Sequence, residues 1–200
     1  MRRFVLGWQT LGHAQRYKAR IVNYVDDLVI CCKGNADEAL RAMRQLMGRL
    51  RLTVNEEKTH CCHIPEEHFD FLGYTFWRRY SEQTGRAYLG TQPSKKSIKR
   101  QIESIREKTD RKRCGLAAEM VVAELNDGLR GWANYFKLGP VSKSYRSIDA
   151  YAKRRLRRWL CSKHKIRGSG GTRYLDKYLY QKLGLVQLPL LTRNLPWAKA

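Results

Sequence analysis

The sequence predicts an α+β fold in which short strands and a helix precede a bundle of helices. Up to about residue 90, β-branched and aromatic residues alternate between turn residues, a pattern typical of strands. Beyond it, long segments rich in Lys and Arg repeat apolar residues at helical spacing. The composition changes at 91–94, and the glycine-rich stretch 168–171 reads as a second break. We therefore expect domains at 1–90, 91–167 and 168–200.

The first expected elements are a β-hairpin over 21–32 and a helix behind it. Two apolar runs meet at Asp26 and Asp27, which are tolerated at the tip of a tight turn. Asn35, followed three residues later by Glu38, has the pattern of a helix N-cap, and apolar residues at helical spacing come after it. The sequence thus predicts an amphipathic helix packed on a hairpin.

Further strands are expected in the remainder of the first ninety residues. A return strand is predicted to begin at 52–54, and 69–76 has strong β-propensity. A turn at 84–85 separates it from another strand at 87–89.

Three helices are expected between residues 94 and 165. Gly128 and Gly131 in the second of them predict a close approach of another helix or a break. The apolar lines expected to be buried are Ile98, Ile102 and Ile105, then Leu125, Leu129, Trp132 and Phe136, then Tyr145, Ile148, Ala152, Leu156 and Trp159. Three such helices can pack as a small bundle.

The charge of the chain predicts a polyanionic partner. Forty Lys and Arg against eighteen Asp and Glu give a net charge of +22, and residues 91–167 alone hold 21 bases and 7 acids. A single basic residue is usually only a solvated surface group, but such an excess on helix faces is typical of phosphate binding. Base recognition would need exposed aromatic rings, for which Tyr135, Tyr145 and Tyr151 are candidates.

The sequence gives no sign of a membrane span or a secretory signal, because it has no long apolar run. Six cysteines without a CxxC pattern favour a reducing compartment, so we expect a cytoplasmic protein. The basic, acid-free first 25 residues leave an organellar location as an alternative. The cluster 60–63, His-Cys-Cys-His, is a zinc alternative, but adjacent strand residues point to opposite faces, which favours buried thiols.

Asp26 and Asp27 are the candidate catalytic residues. Paired carboxylates can hold divalent cations that activate the attacking oxygen and stabilise the leaving one in phosphoryl transfer. The simpler alternative is ordinary turn chemistry.

Three boxes in order resemble reverse transcriptases: 24–27 (Tyr-Val-Asp-Asp), 52–59 (Leu-Thr-Val-Asn-Glu-Glu-Lys-Thr) and 71–76 (Phe-Leu-Gly-Tyr-Thr-Phe). The stretch 131–136 (Gly-Trp-Ala-Asn-Tyr-Phe) resembles the signature of the maturase domain, domain X, of group II intron-encoded proteins. The resemblance implies the carboxyl-terminal part of a polymerase palm, then a thumb and maturase bundle, and then an extension that packs on the bundle.

The resemblance also implies partners and roles. RNA-directed DNA synthesis, help in splicing and binding of intron RNA and of a DNA primer or target would follow, with Asp26 and Asp27 as Mg²⁺ ligands. The expected neighbours of primer and nucleotide are Tyr24, Val25, Asn55, Glu57, Lys58 and Gly73. The expected RNA-binding cations are Lys95, Lys99, Arg100, Lys153, Arg154, Arg157 and Arg158.

The sequence departs from the family upstream of its first box. Family members carry there the fingers and a palm strand with a third metal-binding aspartate, and these are not among the 200 residues. The chain thus resembles a fragment, a truncated reading frame or one half of a split protein that would need an upstream fingers-palm partner. We expect little or no polymerase activity from it alone, so that whether it acts as an enzyme stays open. The alternatives are a non-catalytic RNA-binding splicing module and a general basic nucleic-acid binder.

Overall fold

The computed structural model describes residues 1–82, 84–192 and 195, and it divides the chain into two compact units, Met1–Leu72 and Gly73–Ala200. Each unit combines helices with antiparallel strands, so the predicted α+β class is confirmed. The division by contacts falls between Leu72 and Gly73, whereas the sequence places a boundary at 90. The expected boundaries at 90 and 167 remain predictions.

The first unit is built on a helical core in which the sequence predicted the central helix but not the two helices that precede the hairpin. Helices α1 (Arg2–Thr10) and α2 (His13–Arg16) precede strands β1 (Arg20–Tyr24) and β2 (Asp27–Cys31), helix α3 (Ala36–Arg49) and strand β3 (Phe69–Phe71). Phe4 and Trp8 of α1 are fully buried and pack in one cluster with the apolar face of α3. Ile21, Leu28 and Ile30 of the hairpin pack against that cluster.

Two local predictions in the first unit have opposite outcomes. The N-cap of α3 is confirmed, because the Asn35 side chain accepts a hydrogen bond from the Glu38 amide. The strand predicted at 52–54 is wrong, since this segment has no strand structure. Leu52 and Thr53 are exposed and only Val54 packs on the core, so burial does not favour an extended pairing there.

The second unit is a β-hairpin followed by the three predicted helices. Strands β4 (Tyr74–Tyr80) and β5 (Ala87–Pro93) pair antiparallel, with Tyr74 opposite Pro93 and Tyr80 opposite Ala87. Helix α4 (Lys95–Lys108), a short 3₁₀ helix (Arg111–Arg113), α5 (Ala118–Tyr135) and α6 (Ser142–Lys163) follow. Helix α4 contacts both α5 and α6, which makes the bundle.

The expected buried lines hold for α5 and α6, and in part for α4. Ile105 is buried, but Ile98 and Ile102 are only half-buried, and Gln101 lies in the buried face instead. Helix α5 runs unbroken through Gly128, which lies so close to the Lys108 side chain that an added Cβ would meet Nζ at 2.5 Å. The neighbour at Gly128 is thus the end of a side chain from α4, whereas an added Cβ at Gly131 would meet nothing within 4 Å, so the close approach predicted at Gly131 is wrong.

The carboxyl-terminal extension, 168–192, packs on the bundle. Tyr174, Leu179, Leu185 and Leu188 belong to the same buried cluster as the helices. The extension contains a five-residue π-helical stretch (Tyr178–Lys182) and a 3₁₀ helix (Leu188–Thr192). Residues 193, 194 and 196–200 of the predicted extension lie outside the described residues.

Two polar side chains, the buried Asp149 and the half-buried Asn126, bind this extension. Asp149 of α6 accepts hydrogen bonds from the Tyr180 hydroxyl (2.5 Å) and the Leu188 amide (3.1 Å). Asn126 of α5 donates to the Gly184 carbonyl and accepts from the Val186 amide.

Among the described residues, no helix is long and apolar enough to cross a bilayer.

Candidate nucleic-acid interface and carboxylate turn

Asp26 and Asp27 lie at a tight, fixed turn between β1 and β2. Tyr24 pairs with Asp27, so Val25 and Asp26 form the connection. Val25 has a φ of +52°, an unusual conformation for a β-branched residue. The Asn23 side-chain amide donates to the carbonyls of Val25 (3.0 Å) and Asp27 (3.2 Å), which supports the turn. Both aspartates are therefore presented to solvent on a defined backbone.

The described residues do not gather a complete set of metal ligands around this turn. Carboxylate oxygens are suitable ligands for Mg²⁺, and the turn offers two carboxylates. A two-ion centre for phosphoryl transfer needs more ligands than these. Within the described ranges, no three His, Cys, Asp or Glu residues come together to hold an ion, and this includes the 60–63 cluster.

The predicted neighbour Asn55 shapes the loop that follows α3. Its side-chain oxygen accepts from the Lys58 amide (3.2 Å), and its carbonyl accepts from the Thr59 hydroxyl (2.8 Å). Glu56 is paired with Arg44 of α3. Glu57 and Lys58 are thereby held on an ordered turn with exposed side chains.

Gly73 lies immediately before β4, and its carbonyl links the start of this strand to the first turn of α4. Its φ is +77°, and an added Cβ would lie 2.9 Å from Ser97 Oγ and 3.1 Å from Phe136 Cζ. Its carbonyl accepts hydrogen bonds from the Ser94 amide (2.8 Å) and the Ser97 hydroxyl (2.9 Å). Backbone conformation and crowding thus both require glycine here.

The end of α5 is held by two tyrosine hydroxyls rather than by a glycine cap. Tyr74 donates to the Tyr135 carbonyl (2.6 Å), and Tyr145 donates to the carbonyls of Ala133 (2.7 Å) and Phe136 (3.2 Å). Such bonds satisfy carbonyls that a helix end leaves without partners. Burial raises the pKa of Tyr145 to about 12.

The aromatic candidates for base stacking differ in exposure. Tyr145 is 1% exposed, so its expected stacking role is wrong: its ring belongs to the core. Trp132 and Phe136 are buried as well, in agreement with their apolar spacing. Tyr135 is 55% exposed and Tyr151 is half-buried beneath the Arg154 guanidinium, so both can meet a ligand.

Four exposed cations crowd the first turns of α4. Lys95, Lys99 and Arg100, all predicted RNA-binding residues, are exposed, together with Lys96. The first turn contains no acidic residue. A helix N-terminus carries partial positive charge, so this end of α4 combines the helix dipole with four like charges.

The four predicted cations of α6 separate into two pairs. Arg154 and Arg158 are exposed. The side chains of Lys153 and Arg157 are only 21% and 20% exposed and form ion pairs with Asp176 of the extension. The hydrogen bond from Lys153 is the main cause that holds the pKa of Asp176 below its usual value. Lys153 and Arg157 therefore bind the extension.

Other cations hold backbone carbonyls, a role that sequence reasoning missed. Arg155 donates to the Thr109 hydroxyl (3.0 Å) and to the carbonyls of Arg106 (3.2 Å) and Thr109 (3.0 Å) at the end of α4. Lys163 donates to two carbonyls ahead of α5, and Lys108 donates to one within α5. No sequence pattern separates these cations from exposed ones, because the difference arises in the packing of the helices.

One further exposed cation extends the α6 stripe. Lys143 lies about three helical turns before Arg154 and therefore on the same face. This helical spacing is the signal that could have identified it from the sequence. Together these positions define the α4–α6 cationic surface: Lys95, Lys96, Lys99, Arg100, Lys143, Arg154 and Arg158.

The carboxylate turn and the cation-rich bundle define a protein that offers two candidate metal-binding carboxylates and a helical domain suited to nucleic acid. Comparison with known families agrees. Residues 5–76 match the family described as reverse transcriptase (RNA-dependent DNA polymerase), and residues 96–180 match the group II intron, maturase-specific domain. No curated protein matches the chain. The chain belongs to the group II intron-encoded reverse transcriptase and maturase family.

Proposed function

We propose that this chain binds intron RNA through the α4–α6 cationic surface. The observation that carries the proposal is the concentration of Lys95, Lys96, Lys99 and Arg100 at the amino-terminal end of α4. A cation at this end of a helix costs about 0.3–1 kcal/mol relative to a neutral residue. RNA phosphates would reverse that cost, because they would meet both the cations and the partial positive charge of the helix end.

The neighbouring stripe on α6 extends the same binding mode. Helices α4 and α6 contact each other, so Lys143, Arg154 and Arg158 stand on an adjacent helix. Phosphate contacts fix the position of an RNA but carry no sequence information. Preference for intron RNA would come from its shape and from unpaired bases, with the exposed Tyr135 ring as one stacking surface.

The test is RNA binding by fluorescence anisotropy over a series of salt concentrations. A variant with Lys95→Gln, Lys99→Gln and Arg100→Gln should bind more weakly and show a shallower salt dependence, by roughly 0.7–0.9 in the logarithmic slope per lost phosphate contact. The matched control removes three exposed charges elsewhere, with Arg86→Gln, Arg111→Gln and Lys112→Gln. Equal losses in both triple variants would contradict the proposal.

A second comparison separates specific from general binding. Structured group II intron RNA and a random-sequence RNA of equal length are titrated at the same salt concentration, because affinities at different salt cannot be compared. Tighter binding of the intron RNA supports a maturase role. Equal affinity supports the general nucleic-acid binder instead.

A polymerase role is favoured by one feature, the two exposed aspartates on a turn that Asn23 supports. We propose that Asp26 and Asp27 contribute Mg²⁺ ligands for nucleotidyl transfer to a DNA primer, and that Tyr24, Val25, Asn55, Glu57, Lys58 and Gly73 lie near the primer and nucleotide. Bound Mg²⁺ would activate the primer hydroxyl and stabilise the leaving phosphate oxygen. The further ligands that such a centre needs would come from an upstream fingers-palm fragment.

Primer extension tests this role. The 200-residue chain alone should extend a primer little or not at all. Addition of a separate polypeptide with the fingers and the first palm motifs should restore synthesis, and Asp26→Ala should abolish it. Robust synthesis by the chain alone, or restored synthesis that survives Asp26→Ala, would contradict the assignment. For the compartment we propose the cytoplasm, which fractionation of expressing cells can check.

A further inference from the structure

An open groove of about 520 Å³ lies on the carboxyl-terminal extension. Its volume falls in the range of roughly 300–1,000 Å³ that is usual for ligand sites. The groove shares no residue with the α4–α6 cationic surface. Its lining residues are Arg173, Leu175, Lys177, Tyr178, Gln181 and Lys182.

The groove carries uncompensated positive charge. Arg173, Lys177 and Lys182 are exposed, and none of the ion pairs formed within the described ranges involves them. The one acidic residue between 150 and 192 is Asp176, and its carboxylate is already bound by Lys153 and Arg157. Three cations therefore line the groove without a nearby free carboxylate of the extension to balance them.

The groove also presents an aromatic ring that packs against a buried neighbour. Tyr178 is half-buried, and its ring lies 5.5 Å from that of Tyr174, which is buried in the core. The π-helical stretch Tyr178–Lys182 brings Tyr178, Gln181 and Lys182 into the same wall. π-helical turns are frequent at functional sites. The Gln181 side chain adds an amide that can both donate to and accept from a base edge.

We propose that this groove binds an unpaired segment of RNA, with a base stacked on Tyr178 and flanking phosphates held by Arg173, Lys177 and Lys182. The inference rests on the proposed RNA-binding function and assigns a distinct part of it, the recognition of unpaired nucleotides. A flat ring next to cations is the combination that single-stranded nucleic acid requires, since every base has a face that can stack. An acidic peptide would use the charges but not the ring.

The test compares two RNA probes, a labelled single-stranded oligoadenylate of about ten nucleotides and an RNA hairpin with a similar number of phosphates. Tyr178→Leu should weaken binding of the single strand about 5- to 140-fold, the range that loss of one stacked base gives, and change hairpin binding less than twofold. Tyr178→Phe keeps the ring and should bind like the unmodified chain. Lys177→Gln with Lys182→Gln should weaken single-strand binding and reduce its salt slope by about 0.7 per lost contact.

The control removes two exposed charges elsewhere, Arg111→Gln with Lys112→Gln, and should leave single-strand binding unchanged. If Tyr178→Leu fails to fold by circular dichroism, the Lys177 and Lys182 variant, whose side chains are exposed, decides the question. Single-strand affinity unchanged in the groove variants overturns this inference, as does competition by polyglutamate as strong as that by RNA. An unmodified chain that binds neither probe at low salt overturns the proposed function itself.

Discussion

Arg155 and Arg158 lie one turn apart on α6, but only one of them is available to a ligand. Arg155 is half-buried, and its guanidinium donates three hydrogen bonds at the end of α4, to the Arg106 carbonyl, the Thr109 carbonyl and the Thr109 hydroxyl. Arg158 is exposed. The arginines of one basic segment therefore divide into residues that hold the fold and residues that can hold RNA.

Alanine substitutions should separate these two roles. Arg155→Ala leaves carbonyls at the end of α4 without partners and should lower the free energy of unfolding by about 1–3 kcal/mol. Arg158→Ala should change it by less than about 0.5 kcal/mol while weakening RNA binding. Urea denaturation and anisotropy titrations measure the two effects. Equal stability of the two variants would contradict the distinction.

Gly73 offers a second test at the residue scale, with Gly85 as its control. Both have positive φ, +77° and +64°, so alanine pays a backbone cost of about 1–2 kcal/mol at either position. At Gly85 an added Cβ meets nothing within 4 Å, whereas at Gly73 it meets Ser97 and Phe136. Gly73→Ala should therefore be the more destabilising in thermal unfolding. Equal decreases in the unfolding midpoint of the two variants would show that the Phe136 and Ser97 side chains move aside at no cost in stability.

At the scale of elements, the end of α5 depends on hydroxyl groups that titrate at high pH. The native pKa of Tyr145 is raised to about 12 from an ordinary value of 10. The folded state then binds the proton more tightly than the unfolded state. The resulting stabilisation is complete below pH 10 and is lost as the pH rises through about 12.

Tyr145→Phe should remove both the hydrogen bonds and this pH dependence. At pH 8 the variant should be less stable by about 1 kcal/mol, because the Ala133 and Phe136 carbonyls lose their donor. The difference in unfolding free energy between the variant and the unmodified chain should become smaller between pH 10 and 12, as measured by urea denaturation. Tyr151→Phe serves as control, since the Tyr151 hydroxyl has no hydrogen bond to any residue that the structure describes. A difference in unfolding free energy that stays constant from pH 10 to 12 would contradict the role of the Tyr145 hydroxyl.

Local signals predicted the elements that depend on local chemistry. The Asn35 cap begins α3, α4 begins at the residue that follows Ser94 as expected, and the apolar lines of α5 and α6 are buried. Elements that depend on distant partners were missed. Helix α1 is helical because Phe4 and Trp8 meet α3, and the strand expected at 52–54 fails because no neighbour buries it.

The candidate site was predictable to a similar degree. The exposed turn of Asp26 and Asp27 and the exposed cations of α4 lie where their sequence context suggested. The capture of Lys153 and Arg157 by Asp176 was not predictable, because it requires the extension to fold back onto α6. Periodicity identifies the face of a helix but not what covers that face.

At the scale of the whole molecule, the β4–β5 hairpin belongs to the same unit as the three-helix bundle α4–α6. Gly73 and Tyr74 contribute hydrogen bonds to α4 and to the end of α5. A polypeptide of residues 73–200 should therefore unfold at a higher temperature than one of residues 91–200. Differential scanning calorimetry of the two measures the difference. Identical midpoints would show that the hairpin adds nothing to the stability of the bundle.

The cations that hold backbone carbonyls limit how far this protein can be neutralised. A redesign that aims at easier purification, free of adhering host nucleic acid, would replace surface lysines and arginines by uncharged residues. Lys108, Arg155 and Lys163 have to be spared, because Lys108 links α4 to the interior of α5, Arg155 closes the end of α4 and Lys163 closes the turn ahead of α5. Part of the basicity of this polypeptide is thus a requirement of its architecture, and would persist in a descendant that no longer met any nucleic acid.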